Sequence, residues 1–160
     1  MLAKVPVRRR DGKSSFAGLL SYVIKDATAI AHSSEVLSPD TAPAEMEQVA
    51  SFSRAKDPVY HYVLSWRETE IPTDDEAFDS VKETLTALRM HDNQWVADVN
   101  RNTKNVHDHV AVNRVDPKTY RAVSIFRDWV ALDRACREIE VKQGWMHDNG
   151  PHRVDTGADG

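Results

Sequence analysis

Apolar positions in this 160-residue chain repeat with two periods, and the change from one to the other marks its elements. Phe16, Leu19, Leu20 and Val23 fall at i, i+3, i+4 and i+7, one stripe of a helix that Ser14 or Ser15 can cap. Residues 2–7 read as a short strand before it, ended by an Arg-Arg-Arg-Asp-Gly turn. Residues 33–42 read as loop, and Pro43 suits the first turn of a helix reaching to about Ala55. Residues 58–67 alternate: Tyr60, Tyr62, Leu64 and Trp66 form the core face, and Val59, His61, Val63 and Ser65 the other. Thr73 and Glu76 have capping-box spacing ahead of a stripe through Phe78, Val81, Leu85 and Leu88.

The second half continues with a hairpin. Residues 94–100 read as a strand with Trp95, Ala97 and Val99 inward and Val96, Asp98 and Asn100 on the opposite face. Residues 101–105 are a short polar connection, and 106–115 form the returning strand. Val106, Val110 and Val112 mark its apolar face; His107, His109, Ala111 and Asn113 mark the other. Ile125, Trp129, Leu132, Cys136 and Ile139 trace a last long helix that Gly144 suits as a stop. Long crossovers around one tight hairpin predict an α+β fold, a mostly antiparallel sheet flanked by helices. Residues 1–150 read as one domain, and 151–160 as a disordered tail or an artificial end.

Composition is that of an ordinary globular domain, with 41% hydrophobic and 29% charged residues. The one cysteine, Cys136, excludes an internal disulfide and fits a reducing compartment. With no signal-like segment and no apolar run long enough to span a bilayer, a cytoplasmic location is the default. A net charge of −4 does not by itself point to nucleic acid. Its distribution says more, because Lys4, Arg8, Arg9, Arg10 and Lys13 crowd the first thirteen residues and form a phosphate-attracting cluster. The plainer reading of such a cluster is a solvated basic turn.

The candidate chemistry centres on His107-Asp108-His109. Residues i and i+2 of a strand share a face, so both rings reach one metal ion. The hairpin brings Asn100 near them, and Asp98 shares that face. Tyr22 falls about 110° from the middle of the first helix's apolar stripe, on a flank where a hydroxyl can face a cleft. Each has a plain alternative: strand histidines serve as packing groups, helix tyrosines are often half-buried, and Ser65 at a strand end commonly bonds locally. His61 shares the face of Ser65, with a packing role at least as natural.

Three blocks together resemble the conjugative relaxases of the TraI/MobA class (MOBP-like), in the HUH endonuclease superfamily. They are Lys4 through Tyr22, with Gly12-Lys13-Ser14-Ser15-Phe16-Ala17-Gly18-Leu19; Tyr60 through Arg67; and Val99 through Val115, ending in Asn-Arg-Val. The resemblance runs along most of residues 1–148. It implies that Tyr22 is the nucleophile, Ser65 a contact to DNA near the nick, and His107 and His109 the metal ligands. The family's third metal histidine falls on Asn100 here, its nearby acid on Asn102, and its usual hydrophobic residue between the paired histidines on Asp108. Asn100 is then an oxygen ligand with Asp98 in reserve, Asn113 a support for a ligand histidine, and the cation a hard one, Mn or Mg.

The implied activity is strand-specific nicking of an origin of transfer by transesterification, leaving a 5′-phosphotyrosine and a rejoinable 3′ hydroxyl. The implied partners are single-stranded origin DNA, an accessory DNA-binding protein and a type IV coupling protein. Basic residues 4–13 would track DNA phosphates. The family also implies a bacterial protein, transferable with its DNA and longer than this segment. Three rivals stand beside it. One is a relaxase-fold DNA-binding module that has lost cleavage. Another is a replication initiator, disfavoured because Tyr22 precedes the histidines. The last is a hydrolase using metal-bound water.

Overall fold

In a computed structural model, which describes residues 1–6 and 15–147, nine elements follow one another. These are β1 (Leu2–Lys4), α1 (Phe16–Lys25), β2 (Ala29–His32), α2 (Ala42–Ser51), β3 (Val59–Ser65), α3 (Asp74–Ala87), β4 (Trp95–Val99), β5 (His107–Asn113) and α4 (Asp128–Gln143). The five strands form one sheet in the order β1-β3-β5-β4-β2, with every adjacent pair antiparallel. The expected α+β class is the observed one.

Alternation of side chains along the strands divides the molecule into two packed layers. One layer joins the sheet to α3 and α4 through Tyr60, Tyr62, Leu64, Trp66, Ala97, Val110, Val112, Val81, Leu85, Leu132 and Ile139. The second is smaller and joins Val96 and Ala111 to Phe16, Leu20 and Val23 of α1 and Met46 of α2. Tyr60, Tyr62, Leu64 and Trp66 are all at most 1% exposed, which places the core face of β3 where its alternation predicts.

Local signals account for the helix ends. Ser15 accepts a hydrogen bond from the Gly18 amide, and Thr73 and Glu76 form a complete capping box. Gly144, at φ 79°, ends α4 in the left-handed conformation that glycine adopts without a Cβ penalty.

Three expectations shift. β2 has no counterpart in the pattern reading, because Ala-Ile-Ala-His is a four-residue edge strand with too short an alternation to register. α2 ends at Ser51 rather than near Ala55, and the Arg-containing segment after it joins the loop leading into β3. α4 begins at Asp128, so Ile125 lies before it, and Trp129 is 59% exposed rather than on the buried stripe. As the alternation along β5 requires, Asp108 lies on its apolar face and is fully buried there.

A buried ionic cluster ties β1 to α4. Arg137 and Glu140, both at most 1% exposed, pair at 2.8 Å. Glu140 also meets the Met1 ammonium at 2.8 Å, and Arg137 donates to the Met1 carbonyl at 2.5 Å.

Candidate functional site

The site is assembled by the central strand and its neighbours. β5 lies between β3 and β4, so side chains on its α1-facing side have strands on both flanks. Register places Ser65 opposite His107, Val63 opposite His109 and His61 opposite Ala111. Just beyond β4, Asn100 and His107 exchange both backbone hydrogen bonds, at 2.8 and 3.2 Å. One sheet face therefore carries His61, Ser65, Asn100, His107 and His109.

Tyr22 comes to this face from α1. Phe16, Leu20 and Val23 of α1 are at most 2% exposed against the sheet and α2, whereas Tyr22 is 59% exposed. Burial of the stripe fixes the rotation of the helix, and that rotation leaves the phenol at the edge of the histidine cluster. Its ring centroid is 5.2 Å from that of His109 and 6.0 Å from that of His61, edge-on to both. Tyr22, His61, His109, Ser65, Val63, Lys4 and Pro6 line an open cavity of about 530 Å³.

The two paired histidines are held differently. His107 Nδ1 lies 3.1 Å from the Asn105 carbonyl and 3.2 Å from the Thr103 hydroxyl. A carbonyl only accepts, so that contact puts the proton on Nδ1 and leaves a lone pair on Nε2. His109 Nδ1 lies 3.2 Å from His61 Nε2, with the two rings stacked at 5.4 Å. His107 and His109 stand edge-to-face at 4.9 Å. Burial lowers the pKa values of His61 and His109 to about 4, helped at His109 by its neighbouring imidazoles, so both are neutral at pH 7. Neutral imidazole is the metal-binding form.

Two acids lie close by. Asp98 Oδ1 accepts the His109 backbone N–H at 2.5 Å, while its Oδ2 is buried without a partner. Burial pushes Asp98 up to about 6, against the opposing pull of that hydrogen bond. Asp108 is turned to the opposite face. Both its carboxyl oxygens are buried and unpartnered, and burial, reinforced by Asp98, holds its pKa well above the usual carboxylate range.

The structure thus brings together Tyr22, Ser65, Asn100, His107 and His109, with Lys4 exposed at the cavity rim. Asp98 meets the backbone of His109, not its ring. Asn113 is engaged elsewhere. It donates to the Met46 carbonyl and to Gln94 Oε1, and accepts from the Val115 amide, none of them a histidine. It links β5 to α2 and to the segment before β4. Arg8, Arg9, Arg10 and Lys13 lie outside the described residues. His61 is a residue that pattern reading left open between the border of the cleft and a packing role. Its shared face with Ser65 was the signal, and the β3–β5 register gave that signal its meaning.

These residues suit a hard divalent cation. The donor set would be the His107 and His109 imidazoles and the Asn100 amide oxygen, which already accepts from the Asn102 amide at 2.9 Å but keeps a second lone pair. Among the described residues, no three His, Cys, Asp or Glu side chains converge as a ready-made site. Substrate oxygens and water would complete such a shell, as in an open catalytic site.

Residues 22–145 match the family model described as relaxase, MobA/VirD2-like, nuclease domain. The chain belongs to this family. The match starts at Tyr22 and takes in every described strand of the site except β1. The relaxase domain is 38% identical over 104 residues to Protein MobA of Acidithiobacillus ferrooxidans, covering 63% of this chain and 25% of that protein. It is 30% identical over 170 residues to Protein TraI of Escherichia coli, covering 100% of this chain and 22% of that protein. A second Escherichia coli Protein TraI is 28% identical over 159 residues, 93% of this chain and 22% of its own length. The relaxase domain therefore spans about a quarter or less of the curated relatives it matches. Among its described residues, no helix is long and apolar enough to cross a membrane.

Proposed function

We propose that this domain nicks one strand of DNA at an origin of transfer and becomes covalently joined to it through Tyr22. The observation that carries the reading is the exposed Tyr22 ring 5.2 Å from His109, over a cavity open to solvent. A nucleophile on a helix and an imidazole on a central strand share no sequence proximity, yet they meet at one open cavity.

The step balances simply. The Tyr22 oxygen attacks the scissile phosphorus, the bond from phosphorus to the 3′ oxygen breaks, and a 5′-phosphotyrosine and a 3′ hydroxyl result. The phenolic proton leaves to the solvent that bathes Tyr22, and the departing 3′ oxygen takes one up. His107, His109 and Asn100 would hold Mn or Mg, which when bound polarises the non-bridging phosphate oxygens. Lys4, exposed at the cavity rim, attracts the phosphate, and the Ser65 hydroxyl lines the same cavity and can donate to it. The open cavity admits a single strand, whose phosphate is free of a paired duplex. The bond energy stays in the adduct, so attack by the 3′ hydroxyl on the phosphotyrosine rejoins the strand without a nucleotide cofactor. The DNA strand is the partner this site fits. Accessory and coupling proteins would act through regions of the longer protein, in the bacterial cytoplasm.

One observation favours a second reading, a DNA-binding module that no longer cleaves: the Asn100 oxygen is already engaged by Asn102. One experiment separates the two. The domain is incubated with a single-stranded origin oligonucleotide and Mn or Mg, and its intact mass is measured. A mass increase equal to the 5′-phosphorylated fragment less one water, absent in Tyr22→Phe, supports nicking. Binding without that adduct supports the second reading, and cleavage that persists in Tyr22→Phe points to metal-bound water as the nucleophile.

A further inference from the structure

We infer that His61 is a positioning residue: its Nε2 accepts the Nδ1–H of His109 and fixes the tautomer that presents His109 Nε2 to a divalent cation. The inference rests on the reading of His107 and His109 as ligands. Its starting point is the β3–β5 register. His61 lies opposite Ala111, and the small alanine side chain leaves room for the imidazole to lean along the sheet toward His109. The nitrogens come to 3.2 Å, hydrogen-bond distance.

One proton must lie between these nitrogens, and there are two ways to place it. If His61 donates, the proton of neutral His109 sits on Nε2, and that nitrogen has no lone pair for a metal. If His109 donates from Nδ1, its Nε2 is free, and the proton of His61 sits on Nδ1. Only the second arrangement matches His107, whose Nδ1 is held by the Asn105 carbonyl at 3.1 Å. Both paired histidines would then be anchored through Nδ1 and present Nε2. Metal-bound histidines are commonly held this way, by a hydrogen bond from the second ring nitrogen to an acceptor in the protein. The anchors differ in kind. Asn105 offers a carbonyl, which fixes one tautomer. His61 offers an imidazole, which can accept or donate, so cation binding selects between two states of the pair. The Tyr22 ring stands edge-on to both rings, at interplanar angles of 76° and 80°. The same pair therefore borders the nucleophile.

The test is Mn binding to the metal-free domain, followed by titration and by electron spin-echo counting of coordinated imidazole nitrogens. Wild type, His61→Ala and His61→Gln are compared, with folding checked by circular dichroism. The expected result is two coordinated imidazoles in all three proteins. His61→Ala should lose about 10- to 100-fold in affinity, the usual effect of removing such a hydrogen-bond partner. His61→Gln should recover most of it, because its amide oxygen accepts from His109 Nδ1–H. Equal affinity in wild type and His61→Ala, or no recovery in a folded His61→Gln, overturns the inference. So does a count of three imidazoles in wild type falling to two in His61→Ala, which would make His61 a ligand. A wild type that binds no Mn fails at an earlier step, since it removes the ligand reading itself.

Discussion

Asn100 and His107 face one another across the mouth of the β4–β5 hairpin and exchange both backbone hydrogen bonds. Residues paired this way in an antiparallel ladder have Cα atoms about 5.5 Å apart and side chains on one face. An imidazole at position 100 would therefore stand beside His107. Asn100→His is expected to raise Mn affinity about tenfold or more, since a third imidazole nitrogen replaces an amide oxygen already shared with Asn102. Asn100→Ala is expected to lower it. Mn titration of the metal-free variants measures both, and equal affinities across the three proteins would show that position 100 is not a ligand.

Asp108 is a carboxyl in an apolar layer, fully buried and without a partner. Asp108→Leu should stabilise the domain at neutral pH by about 1–3 kcal/mol, the usual cost of a buried unsatisfied polar group. The sign with pH follows from the raised pKa. The folded state holds the proton more tightly than the unfolded chain, so the contribution of Asp108 is most favourable below pH about 3.8 and is lost as pH rises above it. The advantage of the leucine variant should grow from acid toward neutral pH in urea melts. A constant difference would mean that Asp108 is ionised in both states or in neither.

His61 has the opposite sign. Its pKa falls to about 4 in the folded protein, chiefly through burial. The unfolded chain takes up the proton first, so the stability associated with neutral His61 is full above pH about 6.5 and erodes as pH falls toward 4. In the absence of metal, wild type should weaken relative to His61→Gln across that window. Thermal melts at pH 7.5 and 4.5 test this, and a pH-independent difference between the two proteins would contradict it.

Glu140 is buried against Arg137 and the Met1 ammonium. Glu140→Ala takes the closest carboxylate from Arg137, which keeps Asp133 at 3.7 Å, and from the Met1 ammonium; removing one partner of a buried pair costs about 3–5 kcal/mol. The double variant Glu140→Leu with Arg137→Met should recover part of that loss, because it removes the guanidinium charge while the Met1 ammonium still lacks its carboxylate. Chemical denaturation of the single and double variants gives the comparison; a single variant within 1 kcal/mol of wild type, on the order of a surface change, would count against a structural role for the cluster.

Much of the fold was legible because its signals are local. Alternation in β3, the Thr73–Glu76 capping box, the polar hairpin and Gly144 each act over a few residues. β2 escaped because an edge strand of four residues owes its place to pairing with β4 rather than to its own pattern. Trp129 follows the helical spacing and yet is exposed, because it lies in the first turn of α4, before the buried stretch that begins at Leu132.

At the candidate site, sequence alone determined which chemical groups exist and which share a strand face: Tyr22, Ser65, the spaced His107 and His109, and an asparagine where a third imidazole would be expected. It also determined that an acid stands between the histidines, since side-chain parity on β5 follows from spacing. Only the tertiary structure decided that Tyr22 reaches His109, that His61 holds the Nδ1 side of that ring, and that Asn113 turns to Met46 and Gln94. The physical reason is range. Periodicity follows from the local geometry of one element, whereas a contact between α1, β3 and β5 depends on strand order, register and the rotation of a packed helix, which the whole core sets together.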